Sequence, residues 1–236
     1  MSSSITAGQS AVVYALESVA PGSASAGQNF VVSTLGSFSG SLTAGQDALV
    51  TAAGNVSGAV TGGRDAMAMA FGQVTASVTG SSGDAVVIAG NGVNSTITAA
   101  GDAVAISSGG TSSVNLTAGG SAAVQSFGTT TANVNAGDDA YIWSFDTLAG
   151  MVNAGGNAAA LSMAGSTVAV DATGDAYVFA VDKHQGNISA GGSAALESLG
   201  IVHSSVTGGQ HASVYAVGDA VSTSVTAGGY ASLVTW

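Results

Sequence analysis

A small aliphatic residue followed by Thr-Ala-Gly, or a close variant, returns every 18 or 19 residues along the whole chain. The leading residues are Ile5, Ala24, Leu42, Val60, Val78, Ile97, Leu116, Val134, Val152, Val170, Ile188, Val206 and Val225. A fixed period of this size, in a sequence poor in helix formers, is the mark of a solenoid: one repeat makes one coil, and each coil buries its apolar side against its neighbours. The chain is therefore expected to be all-β, a parallel β-solenoid (β-helix) of about thirteen coils forming a single domain over residues 1–236 without a linker. Stacked about 4.8 Å apart, thirteen such coils would span roughly 60 Å.

Within a coil, the mark is followed by an alanine column (Ala11, Ala48, Ala66, Ala85, Ala103, Ala122 and on to Ala231), for which Phe30 is the exception. Two residues further on come Val13, Val32, Val50, Ala68, Val87 and Ile142, and two beyond those Ala15, Ala52, Ser107, Ser126 and Ser144. A period of two places all three columns on one side of a strand. Because they are small, that side is expected to be the interior, a thin Ala/Val core. A short second strand is expected after the mid-coil glycines (Gly36, Gly54, Gly72), running into the next mark. Glycine at the bends supplies backbone angles that a Cβ forbids. Each coil thus has two strands and two turns.

Charge removes several function classes. Charged residues make up 6% of the chain, Arg64 and Lys183 are the only Arg or Lys, and the net charge is −11. Nucleic acid and anionic membrane surfaces both need basic groups, so neither is an expected partner. There is no cysteine, hence no disulfide frame, thiolate nucleophile or Cys-ligated zinc. No run of 18 apolar residues supports membrane insertion. The start has neither a basic n-region nor an apolar h-region, so the expected location, extracellular or at the cell surface, implies secretion without a cleavable signal in this chain. A cytoplasmic filament is the less favoured location.

The outward positions divide into two unlike faces. One is large and apolar: Tyr14, Met69, Phe71, Phe127, Trp143, Phe145, Met163, Phe179 and Tyr215. It would cover on the order of 1,000 Å², more than soluble monomers normally expose. This face is expected to bind a partner, most simply another copy. The alternative is that the strand is read inside out and these residues fill the core.

The other face carries hydroxyls at Thr43, Thr61, Thr79, Thr98, Thr117, Thr207 and Thr226. The pairs Thr96/Thr98 and Ser77/Thr79 resemble the Thr-x-Thr ladders of ice-binding β-solenoids, which implies an ice or polysaccharide surface as a candidate partner. Met151, Ala59, Ala169 and Asp171 interrupt the array, and a solvated Thr-rich sheet face is the plainer reading. At the ends, Ile5, Val12, Val234 and Trp236 carry no charge, and Met1 and Trp236 fall at phases that nearly continue one another. Open strand edges invite pairing, so head-to-tail addition of copies is expected; an excised segment of a longer repeat protein would look the same.

One constellation looks chemical. Asp47, Asp65, Asp84 and Asp102 take equivalent places on four successive coils. Carboxylates stacked about 5 Å apart repel unless diluted, protonated or bridged, so calcium is the candidate cofactor and no other is expected. Asn29, Ser121, Asn157 and Ser193 stand there in other coils, which points instead to a turn residue bonding its own backbone. His184, His203 and His211 have no ligand or triad spacing and are read as surface residues. Asp138 with Asp139, and Asp171 with Asp175, could pair as acid and base, yet no basic cleft accompanies them. No catalytic residue is assigned, and an enzyme is not expected.

The Thr-Ala-Gly-Gly-x-Ala runs at 117–122 and 226–231, with their regular spacing, resemble the glycine-rich repeats of filamentous haemagglutinin-type adhesins over nearly the whole chain. The resemblance implies an extracellular fibrous or adhesive protein, although the secretion domain of that family has no counterpart here. Bactofilin-like filaments share the coil length but are more highly charged. The sequence thus reads as a self-assembling structural filament subunit, a homopolymer that also pairs laterally. The alternative is a surface-binding module using its Thr/Ser face.

Overall fold

Two strand types alternate through the chain, and each pairs in parallel with its own kind one coil away. The computed structural model describes residues 3–220 and 222–236. It is an all-β parallel solenoid of about thirteen turns of about 18 residues with two sheets. One sheet is built from strands that begin at the alanine column and is called the alanine sheet below; the other contains the marks and is called the threonine sheet. The chain divides into two compact units, Met1–Gly120 and Ser121–Trp236.

In the first unit the alanine sheet runs through Ala11–Ala15, Phe30–Thr34, Ala48–Ala52, Ala66–Ala70, Ala85–Ala89 and Ala103–Ser107. Ala48, Ala66, Ala85 and Ala103 stack in register, none more than 2% exposed. Buried and half-buried residues alternate strictly along these strands. The small columns therefore face inward, and the inside-out alternative is ruled out. Leu42, Val60, Val78 and Ile97, all fully buried, line the interior from the threonine sheet. Each buried Val, Leu or Ile side chain contributes roughly 1.5–3 kcal/mol.

The second strand is not short. Phe38–Ala44, Val56–Gly62 and Val74–Gly80 have seven residues each, against five for the alanine strands. Inward phase starts directly after the bend, at Phe38, Val56 and Val74, so the strand begins several residues before the mark. Gly58, in mid-strand, holds φ at +110°, and a Cβ there would overlap the carbonyl oxygen of Gly40 one coil back.

In the second unit, Ala122–Ser126, Ala140–Ser144, Ala158–Ser162, Ala176–Ala180, Ala194–Ser198, His211–Ala216 and Tyr230–Thr235 form the alanine sheet. The threonine sheet is regular through Thr130–Ala136, Leu148–Ala154 and Ser166–Ala172. It then breaks into the pairs His184–Gln185 with Ile188–Ala190 and Val202–His203 with Ser205–Gly208. Inward hydroxyls close the mid-coil bend: Ser162 donates to the carbonyls of Asp146 (2.8 Å) and Gly165 (3.0 Å), and Ser144 to that of Gly128 (3.1 Å). The Asp146 carbonyl gains its partner this way, whereas the Gly165 carbonyl also accepts the Leu148 N–H and the Gly128 carbonyl the Thr130 hydroxyl.

His184 departs from the surface position expected of it. It is fully buried, in register between Ser166 and Val202, because it occupies the inward phase just after the bend. His203 is half-buried and His211 exposed.

Candidate functional surfaces

Strand alternation turns every second residue of the alanine sheet outward, and in the first unit these positions form three columns. They are Val12, Val31, Leu49, Met67, Val86 and Val104; then Tyr14, Ser33, Thr51, Met69, Ile88 and Ile106; then, at the bend, Leu16, Leu35, Ala53, Phe71, Gly90 and Ser108. Tyr14 and Phe71 are each 80% exposed. None of the eighteen residues carries a charge, in a chain whose net charge is −11. Beside Phe71, where the bend column shrinks to Gly90, lies an apolar cleft of about 180 Å³ floored by Met69 and Ile88. A projecting ring and a cleft of phenyl size thus share one uncharged face.

In the second unit the outer side of the alanine sheet carries an aromatic stack. The rings of Phe127 and Phe145 lie 4.4 Å apart at 5°, and Trp143 packs on Phe145 at 4.9 Å and 20°. All three remain exposed, Trp143 by 42%. Met163 and Tyr215 are exposed as well, and Phe179 is half-buried. The Phe127–Phe145 contact comes from like residues one coil apart in one column, whereas Trp143 reaches Phe145 from two residues away on the same coil.

The hydroxyl face is regular in the first unit. Thr6, Ser25, Thr43, Thr61, Thr79, Thr98 and Thr117 stand in register on successive coils. In the second unit the equivalent column reads Asn135, Asn153, Asp171, Ser189, Thr207 and Thr226, so amides and a carboxylate replace the hydroxyls at its first three positions. The neighbouring column is broken by Ala59 in the first unit and by Met151 and Ala169 in the second.

The Asp column forms a backbone-capping ladder. Asp65 Oδ1 accepts the backbone N–H of Asp84 at 2.9 Å, and Asp84 Oδ1 that of Asp102 at 2.8 Å. Asn29 does the same for Asp47 at 3.2 Å, and Asn157 for Asp175 at 2.9 Å. The acceptor therefore serves the next coil, not its own backbone as the sequence suggested, because the neighbouring turn stacks within reach. At the other bend Asn55 caps Gln73 likewise at 2.8 Å. The Arg64 guanidinium spans Asp47 and Asp65 and is half exposed, and those carboxylates raise its pKa. Among the described residues no three His, Asp or Glu side chains gather into a metal-binding group.

Two of the other acids are turn caps and a third lies on a different face. Asp139 caps Asn157 (2.7 Å) and Asp175 caps Ser193 (2.7 Å), whereas Asp171 lies on the outer threonine face. At the ends, Ile5 is half-buried against Ala24, Val12 and Val234 are exposed, and Trp236 is exposed with its N–H on the Ala216 carbonyl. Met1, the other half of the end-matching argument, lies outside the described residues.

No family model matches the chain, and no curated protein or solved structure is significantly similar to it.

Proposed function

We propose that the chain is a structural β-solenoid element that associates with further copies of itself through the outer face of its alanine sheet. The observation that carries this reading is the uncharged face of the first unit, with Phe71 projecting beside a cleft that fits a ring. An isologous contact places the same patch on both partners, so a ring and a cleft on one patch are self-complementary. An uncharged face also avoids the repulsion that two copies of charge −11 would otherwise feel. Six strands about 4.8 Å apart by three columns project on the order of 500 Å², below the roughly 800 Å² per partner of a stable pair. Lateral association is thus weak per unit and strengthened by repetition. End-to-end strand addition, a fibrous role outside the cell and the adhesin-like character of the repeats belong to the same reading.

Sedimentation velocity across a hundredfold concentration range, with negative-stain micrographs, tests it. Concentration-dependent growth into laterally paired filaments is expected, reduced by Phe71→Glu and by Trp143→Ser. A single small species at every concentration would remove the reading.

The second reading, binding to an ice or polysaccharide surface, is supported by the unbroken hydroxyl column of the first unit. Thr79→Leu with Thr98→Leu should abolish such binding and leave association untouched; Phe71→Glu should do the reverse.

A further inference from the structure

Away from the stack of Phe127, Phe145 and Trp143, the outward column nearest the Asp turn alternates ring and methyl: Tyr141, Ala159, Tyr177 and Ala195 stand in register on successive coils. The two tyrosines are two coils apart, about 10 Å at the usual strand spacing. Ala159 floors the gap between them, leaving an open slot of about 340 Å³. Both phenols are tied to carboxylates. Tyr141 donates to Asp139 Oδ2 at 3.3 Å, and Asp139 is itself fixed through Oδ1 by the Asn157 N–H; Tyr177 donates to Glu197 Oε2 at 3.1 Å. Asp175 is the carboxylate that lines the slot itself, while Asp139 and Glu197 stand behind its tyrosines. The one Lys or Arg of this unit, Lys183, lies at the opposite bend of its coil. The charge of Asp139 raises the Tyr141 pKa, and burial with Glu197 raises that of Tyr177, so both rings stay neutral and electron-rich.

We propose that the Tyr141–Tyr177 slot binds an organic ammonium cation, a trimethylammonium or similar alkylammonium group held between the two rings. With the two strands about 10 Å apart, a cation midway lies about 5 Å from each tyrosine's strand, comparable with the roughly 6 Å over which a ring face attracts positive charge. Asp139, Asp175 and Glu197 supply the countercharge and exclude anions. A sugar would need acceptor oxygens for its hydroxyls, and both oxygens of Asp139 and one each of Asp175 and Glu197 are already engaged. Charge attraction to a cation needs none of them, which is why the cation is favoured over a sugar. The slot shares the outer face of the alanine sheet with the proposed self-association, but it belongs to the second unit and takes a small ligand. Loss of cation binding with unchanged sedimentation therefore separates the two.

Titration of the full chain with tetramethylammonium and with choline, followed by ligand-observed NMR, tests it. Saturable binding is expected, weakened roughly fivefold by Tyr177→Ala, as loss of one ring–cation contact dictates. Asp139→Asn should also weaken it while keeping both rings, and its circular dichroism should match the parent, separating binding from folding. The neutral choline isostere 3,3-dimethylbutanol should bind more weakly than choline. Phosphatidylcholine vesicles distinguish a lipid headgroup from a free cation as the source. Absence of saturable binding, equal binding of the neutral isostere, or unchanged affinity in both variants would overturn the proposal.

Discussion

Asp84 Oδ1 accepts the backbone N–H of Asp102 one coil further on, at 2.8 Å, and the same oxygen occupies the place where a Cβ on Gly101 would stand. The pairing recurs. Asp65 caps Asp84 beneath Gly83, Asn157 caps Asp175 beneath Gly174, and Asn55 caps Gln73 beneath Gly72. Where a Gly directly precedes the capped residue it makes room for the acceptor one coil back; at the Asn29–Asp47 cap, where Gln46 stands instead, the bond is longer at 3.2 Å. Gly-Asp and Gly-Asn are one device split across two coils.

The ladder needs an acceptor, not a charge. Asp84→Asn keeps the carbonyl oxygen and removes repulsion from Asp65 and Asp102, each about 5 Å away and worth up to about 1 kcal/mol in water. It should raise the unfolding midpoint at low ionic strength, and the gain should fade in 1 M salt, where the Debye length is about 3 Å. Asp84→Ala removes the cap as well as the charge, so it should lie about 1 kcal/mol below Asp84→Asn at either salt concentration. Urea titrations at the two salt concentrations separate the cases.

Gly101→Ala sets a Cβ against Asp84 Oδ1, which must swing away and release the Asp102 N–H. Overpacking of this kind costs about 1–3 kcal/mol. With Asp84→Ala in place the acceptor is already gone, so the combined loss should fall short of the sum of the single losses. A double-mutant cycle by thermal unfolding reads the coupling, and strict additivity would contradict the steric link.

The coils were legible in the sequence because a parallel solenoid writes its geometry as a period. The Ala column and the marks are inward in the structure, as their period of two requires. Strand length was misjudged since Val56 and Val74 precede the mark and look like turn residues until their inward phase is counted. His184 was misplaced for the same reason: its type suggested the surface, while its phase, shared with Ser166, put it inside. The slot between Tyr141 and Tyr177 was hidden in another way. Residues 36 apart in sequence form one site only when two coils are stacked, and Ala159 matters there for what it lacks.

Ala24 and Phe30 exchange sizes. The coil whose mark shrinks to Ala24 is the coil whose alanine column carries Phe30, and both are buried, at 3% and 0% exposure. Packing at constant volume explains the exchange. Phe30→Ala alone should cost about 3–5 kcal/mol through the cavity it leaves. Adding Ala24→Leu, which restores the pattern of the next coil (Leu42 with Ala48), should recover part of that loss. Ala24→Leu alone should destabilise by overpacking. Thermal melts of the three variants decide it; no recovery in the double variant would mean that the two sites do not share space.

His184 makes the fold acid-sensitive at one point. Its Nε2 donates to the Gly186 carbonyl at 3.2 Å, while Nδ1 is buried without a partner, so a second proton there would create an unpaired charge. Burial lowers its pKa from 6.5 to about 4. A histidine whose folded pKa lies below its unfolded value costs no stability above pH 6.5. The cost grows as pH falls from 6.5 toward 4 and levels off below that, where both states are protonated. A difference of this size corresponds to about 3 kcal/mol. The residue also sits where the threonine-sheet strands are shortest, at His184–Gln185, so acid should open that segment before the regular coils. His184→Val, matching Val202 in the next coil, should flatten the melting temperature between pH 6.5 and 4.5, whereas the parent declines over that interval. Parallel declines in parent and variant would assign the acid sensitivity to other groups.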